Sequence, residues 1–304
     1  MALTDLEVNM RSLFMGVGKM GLPMARHLQQ AGHEVCVTDL DDSRLQLARE
    51  AQLCVATDAS AELGRVDRVM SSLPHDQALL AVADQVARHA RPGTIWVDTS
   101  TVSMAASAQA AQRCQTAGIR YLRVTVSGNN HMAESAQLTV LASGARTDYD
   151  ELLPALRCWG PNHFYLGEAE QARLMKLVIN LMIAQTSAML AEAMTLGRQG
   201  GLDWPTLWQV VGASAVASPI MKAKSQQLGR PLGERDFSPT FTVHQMLKDI
   251  GLIMQAGADL HVPLTQTNQT QQWMQAAIAQ GDGELDYAAI IRVVERSAGL
   301  TGEA

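Results

Sequence analysis

The stretch Ser12-Leu13-Phe14-Met15-Gly16-Val17-Gly18-Lys19-Met20-Gly21-Leu22-Pro23-Met24-Ala25 decides the fold. A short apolar run predicts a buried strand, three glycines spaced G-x-G-x-x-G follow it, and Leu22 to Ala31 reads as a helix. In that context the first glycine permits a tight turn, the second lets a pyrophosphate approach the backbone, and the third lets helix and strand pack closely. The helix start then faces the phosphates with free N–H groups and the positive end of its dipole. The next strand, Glu34 to Thr38, delivers Asp39, a carboxylate able to accept both hydroxyls of an adenosine ribose. Asp39 would repel a 2′-phosphate, and the following residue is Leu40 rather than an arginine. Gly16, Val17, Gly18, Lys19, Met20, Gly21 and Asp39 thus form an expected dinucleotide site, for NAD rather than NADP.

Working outward, short β-rich runs alternate with Ala- and Gln-rich helical stretches as far as Leu166. Strands are expected at Ser12 to Met15, Glu34 to Thr38, Arg68 to Leu73, Thr94 to Asp98, Arg120 to Val124, Leu138 to Ala142 and His163 to Leu166. The alternation predicts an α/β, Rossmann-type parallel sheet. After Gly167 the β signal stops. Glu170 to Arg198 is a long Leu/Met/Ala/Ile helix with apolar residues on nearly every face, expected to be buried all round. Further helices are expected at Trp204 to Gly212, Ser238 to Gly257, Leu264 to Gln280 and Tyr287 to Ser297. The predicted organisation is a disordered tail at 1–11, a dinucleotide-binding domain at 12–168 and an all-α substrate and dimerisation domain at 169–304, joined by the long helix. So greasy a helix suits a subunit interface, hence a homodimer or homotetramer.

At 304 residues the chain exceeds the roughly 250 to 300 that one core supports, which agrees with two domains. A hydrophobic share of 47% against 18% charged residues excludes a chain disordered throughout. The formal charge of -6 disfavours nucleic acid as a partner. Cys36, Cys54, Cys114 and Cys158 are far apart in sequence and include no CxxC pair, so reduced thiols in a cytoplasmic protein are expected, without disulfides. The first residues carry acids where a secretory leader would need a cationic start. No uninterrupted apolar run reaches the roughly 20 residues of a membrane span, so no membrane partner is expected. The histidines show no metal-ligand spacing, and no metal is expected.

Five blocks in order carry a resemblance: Met15-Gly16-Val17-Gly18-Lys19-Met20-Gly21-Leu22-Pro23-Met24-Ala25; Leu73-Pro74; Asp98-Thr99-Ser100-Thr101-Val102-Ser103; Val126-Ser127-Gly128; and Lys176-Leu177-Val178-Ile179-Asn180, with Lys248-Asp249 beyond. From Leu13 to Val294 the chain resembles the β-hydroxyacid dehydrogenase family, which includes 3-hydroxyisobutyrate dehydrogenase, tartronate semialdehyde reductase and glyoxylate or succinic semialdehyde reductases. The resemblance implies that Leu73, Pro74 and Thr101 lie along the cofactor and that Lys248 closes over it. It also implies that Ser100, Ser127, Gly128 and Asn129 bind a small hydroxy acid.

Oxidising an alcohol by hydride transfer requires a protein group to take the hydroxyl proton. Lys176 is the candidate, because it interrupts Leu174-Met175-Lys176-Leu177-Val178-Ile179, where an ordinary surface lysine would be costly, and desolvation lowers a lysine pKa. Asn180 follows at i+4, on the same helix face. The chain departs from the family where Asp-Ala-Pro-Val-Ser-Gly-Gly becomes Arg123 to Asn129, and where glycines are lost within Asn130 to Gln137. These changes put the substrate's identity in that segment. His27 replaces a family asparagine at a position expected to be structural. The rival readings are an aldehyde or imine reductase, although related imine reductases lack the lysine that Lys176 matches, and a dinucleotide-binding protein without catalysis.

Overall fold

The computed structural model describes residues 10–300. The tail expected at 1–11 falls outside them as far as residue 9, and Arg11 already belongs to the first strand. Two compact units result, Met1–Lys176 and Leu177–Ala304. The division falls inside the long helix rather than at its start, because the first turns of that helix pack into the sheet unit through Ala172 and Arg173.

The first unit runs β1 (Arg11–Met15), α1 (Gly21–Gln30), β2 (Glu34–Thr38), α2 (Asp42–Glu50), β3 (Cys54–Val55), α3 (Ala59–Leu63), β4 (Arg68–Ser71), α4 (Asp76–His89), β5 (Ile95–Asp98), α5 (Met104–Thr116), β6 (Arg120–Ser127), α6 (Asn130–Glu134), β7 (Thr139–Ser143), α7 (Arg146–Leu156) and β8 (Asn162–Tyr165). Its sheet has the order β3-β2-β1-β4-β5-β6-β7-β8. Strand residues alternate between two cores, as a period of two requires. Phe14, Val37, Met70, Val97 and Leu122 pack on one side with Met24, Leu28 and Trp159. Leu13, Met15, Val69, Trp96 and Tyr121 pack on the other with Leu79 and Val86. Burial on both faces explains why these strands read as continuous apolar runs.

Three features correct the sequence expectations. The sheet is not wholly parallel: β7 runs antiparallel to β6, with Ser127 opposite Thr139. The connection between them therefore returns over the same edge of the sheet. A two-residue strand, β3, pairs with β2 and sets Cys36 directly against Cys54, and these two cysteines are joined as a disulfide. Distance in sequence hid a pairing that the neighbouring strands create, while Cys114 and Cys158 are free thiols.

The second unit takes up α8 (Gln171–Gln199) and adds α9 (Trp204–Ala213), α10 (Pro219–Leu228), α11 (Val243–Asp259), α12 (Thr265–Ala279) and α13 (Ile290–Ser297). Ala184, Ala188, Ala191 and Met194 of α8 join Trp204, Trp208, Met246, Ile250 and Ile290 in one core. A capping box, Thr242 with Gln245, starts α11. The helix α8 is not buried all round: Met182, Met189 and Leu196, one heptad apart, are 64%, 47% and 76% exposed. Among the described residues, α8 is also long and apolar enough by length and composition to cross a membrane, because Lys176, Asn180 and Gln185 interrupt its apolar run without lowering the average far. Its small-residue face is the core of this unit.

Candidate functional site

At the end of β1 the backbone turns sharply at Gly16, whose φ is +89°. A Cβ there would stand 2.5 Å from the Ser72 carbonyl oxygen, and one on Gly21 would overlap the Gly16 carbonyl. Both positions admit glycine alone. Gly18 differs, since an added Cβ would meet no protein atom within 4 Å. The space beside it is open to a ligand, as a phosphate-binding glycine requires. The helix α1 begins at Met20 without a side-chain cap or an acid in its first turn, which leaves its N–H groups and dipole for an anion. Asp39, at the tip of β2, accepts hydrogen bonds from Val17 N at 2.8 Å and Asp41 N at 3.0 Å. Its carboxylate is thus held against the glycine turn with lone pairs remaining for ribose hydroxyls. Leu40 beside it is fully exposed. These residues fit a dinucleotide; Lys19 is exposed at the turn.

The switch point of the sheet lies between β1 and β4, where ligands of such sheets bind. At this edge Asp98 and Arg173 form an ion pair with both side chains fully buried. Asp98 accepts from Ser71 Oγ at 2.5 Å and Ser100 Oγ at 2.6 Å. Arg173 donates to the Ser100 carbonyl at 2.6 Å, to Tyr121 Oη at 3.1 Å and to Ser107 Oγ at 3.2 Å. Ser100 Oγ accepts from Leu73 N at 2.8 Å, and Trp96 Nε1 donates to Ser71 Oγ at 2.9 Å. Burial pushes the Tyr121 phenol well above its ordinary value, so it stays neutral while accepting from Arg173. The Ser100 hydroxyl expected to face the substrate is spent inside this network. Its role is to fix Leu73-Pro74 and the strand end from which half-buried Thr101 emerges. The network as a whole was not foreseen; polar Asp98 and Arg173 inside apolar segments were its signal.

At the end of β6, the Ser127 hydroxyl has no partner among the described residues. Gly128 has φ +142°, and a Cβ there would approach Leu138 to 2.7 Å, so a side chain is excluded. Asn129, expected at the substrate, uses its Oδ1 to cap α6 by accepting from Met132 N at 3.0 Å. Its amide nitrogen and one lone pair of Oδ1 remain for a ligand. The helix α6 is braced on α1 by His27, whose Nε2 lies 2.9 Å from Ala133 O and 3.1 Å from Glu134 O. The histidine that replaces the family's asparagine therefore clamps the divergent segment to the dinucleotide helix.

In the second unit, Asn180 of α8 donates to Asp249 Oδ2 at 2.5 Å, and Lys248 Nζ lies 2.7 Å from Asp249 Oδ1. Asp249 is buried between them. It gathers two of the expected functional side chains and was itself not singled out. Lys176 is half-buried on α8, one turn before Asn180, at the last residue of the sheet unit.

Residues 12–167 match the NAD binding domain of 6-phosphogluconate dehydrogenase, and residues 171–294 match the NAD-binding domain of NADP-dependent 3-hydroxyisobutyrate dehydrogenase. The 2-(hydroxymethyl)glutarate dehydrogenase of Eubacterium barkeri is 30% identical over 97% of this chain and 98% of that protein. The chain belongs to the β-hydroxyacid dehydrogenase family. It is similar in structure to 3-hydroxyisobutyrate dehydrogenase of Mycobacterium tuberculosis with L-serine, at TM-score 0.86 and 25% identity, over 94% of this chain and 99% of that one. The human cytokine-like nuclear factor N-PAC is 26% identical over 92% of this chain but only 50% of its own length. Family membership makes residues 12–167 an NAD(P)-binding domain, and makes the activity that of a hydroxyacid dehydrogenase of the 3-hydroxyisobutyrate type.

Proposed function

We propose that this dehydrogenase uses NAD in preference to NADP to interconvert a small β-hydroxy acid with its semialdehyde or keto acid. Lys176 is the general base in oxidation and the general acid in reduction. The observation that carries this reading is the polar set on an otherwise apolar helix. Lys176 is followed one turn on by Asn180, whose amide is oriented by Asp249, the same carboxylate that pairs with Lys248. With its N–H directed at Asp249, Asn180 presents its carbonyl oxygen as an acceptor for a hydroxyl or an ammonium. Bound NAD supplies the hydride acceptor. Lys176 Nζ takes the hydroxyl proton, while Ser127 Oγ and the backbone beside Gly128 hold the carboxylate. The segment Asn129 to Gln137, fixed to α1 by His27, selects the rest of the substrate.

L-Serine, the ligand named for the mycobacterial relative, is itself a small β-hydroxy acid. A panel of L-serine, 3-hydroxyisobutyrate and 2-(hydroxymethyl)glutarate with each cofactor, followed by NADH absorbance, tests the activity. Lys176→Met should lower kcat by about a hundredfold to ten-thousandfold with NADH binding retained. Near-normal turnover of that variant would remove Lys176 from the mechanism. Turnover of no hydroxy acid by the unaltered chain would favour a dinucleotide-binding protein without catalysis. The exposed Met182, Met189 and Leu196 stripe supports a homodimer or homotetramer, which light scattering would measure. A cytoplasmic location completes the reading; there the Cys36 and Cys54 pair would stand mainly as thiols, which alkylation of intact cells would reveal.

A further inference from the structure

The second unit contains a cavity of about 190 Å³ lined by Arg198, Arg235, Arg292, Arg296 and Glu295, with Leu232 and Leu300. It lies at the C-terminal end of α8, away from the turn that carries Asn180. Two buried carboxylates hold the four guanidiniums in place. Glu295 accepts from Arg198 at 2.9 Å and from both Nη atoms of Arg235 at 3.0 Å. Asp282 pairs with Arg292 at 2.8 Å and with Arg296 at 3.2 Å. Aromatic faces fix two of them further, with Arg235 over Trp204 and Phe237 and Arg292 over Phe237. Among the described residues, these four cations pair with two anions, an excess of two positive charges within a chain whose formal net charge is -6. Arg198, Arg292 and Arg296 each use only Nη1 toward these partners. Among the described residues their remaining N–H donors have no acceptor.

Guanidiniums at a helix C-terminus also complement its dipole, but that would need neither a cavity nor two carboxylates that each orient a pair of arginines. We propose that this cavity binds a small anion carrying two adjacent oxyanion groups, a diphosphate or a di- or tricarboxylate, at a site separate from the hydride-transfer machinery. Forked guanidinium donors recognise phosphate and carboxylate alike.

The test is titration calorimetry of the full chain with pyrophosphate and, separately, with citrate. Saturating NADH keeps the glycine turn occupied, and ionic strength is matched with chloride. The two arms distinguish phosphate from carboxylate ligands. Binding at one site per chain is expected for at least one of them. Arg292→Gln and Arg296→Gln, each at a side chain about one-third exposed, should weaken it by about tenfold or more, since a charged hydrogen bond is lost. Hydride transfer should be unchanged in both variants. Arg292→Lys, which keeps the charge without the fork, should fall between. Absence of binding by either anion, or equal affinity in the unaltered chain and both glutamine variants, would overturn the proposal.

Discussion

Replacing Asp98 by Asn keeps the shape of the side chain and an acceptor oxygen but removes the charge facing Arg173. Both side chains are fully buried, so the variant leaves a guanidinium in the sheet core without a counter-charge. Breaking a buried pair from one side costs about 3–5 kcal/mol. For a unit of this size that lowers Tm by roughly 6–20 °C. Removing both charges in Asp98→Asn with Arg173→Met should cost much less than the two single changes summed, because no buried charge is then unpaired. The coupling should exceed about 2 kcal/mol. Urea unfolding followed by tryptophan fluorescence is suited to the measurement, since Trp96 donates to Ser71, a direct partner of Asp98. The double variant should nonetheless turn over slowly, because Arg173 also holds the Ser100 carbonyl, and with it the strand end that presents Thr101. A cost below about 1 kcal/mol for Asp98→Asn, or additivity of the two changes within about 0.5 kcal/mol, would refute the reasoning.

Asp39→Ser with Leu40→Arg should cut the preference for NAD over NADP by about tenfold to a hundredfold, read as the ratio of kcat/KM values. Ala136 has φ +53°, a left-handed conformation unfavourable for alanine, so Ala136→Gly should stabilise the chain by about 0.5–1 kcal/mol in urea unfolding while NADH affinity stays constant. The Glu151 carboxyl is held below its ordinary value of 4.5, chiefly by the hydrogen bond from Arg120. Its stabilising effect is full above pH 4.5 and is lost as pH falls through the lowered value. Glu151→Gln should therefore flatten the acid limb of a stability curve, by less than about 1 kcal/mol for so accessible a pair.

The elements that local chemistry dictates could be read from the chain directly. The spacing of Gly16, Gly18 and Gly21 marks the turn between strand and helix, with Gly21 required by the Gly16 carbonyl a few residues before it, and β2 begins and ends where the sequence places it. Features that depend on a distant neighbour could not be read. Two residues of β3 carry no periodicity, so Cys36 and Cys54 gave no sign of facing each other. The apolar run of β7 marks a strand but not its direction. Hydropathy described α8 as apolar all round, yet composition is silent on which face another helix covers. Ser100 and Asn129 look like donors to a ligand in any sequence; whether a hydroxyl or amide is already taken depends on Asp98, Leu73 and the first turn of α6. Asp249 was legible and missed. It lies between Met246 and Ile253 on the buried stripe of α11, the same anomaly of polarity that drew attention to Lys176.

The reversed direction of β7 bears on how members of this fold diverge. A parallel strand would need its connection to travel to the opposite end of the sheet, and any insertion would then disturb a crossover. Here the loop between Ser127 and Thr139 starts and finishes at one rung of the ladder. Residues between those anchors can be exchanged, added or removed while every strand keeps its partner. Variation there carries little risk to folding, and the unusual run from Asn129 to Gln137, to which the proposed function gives the choice of substrate, occupies the part of the chain where change is cheapest.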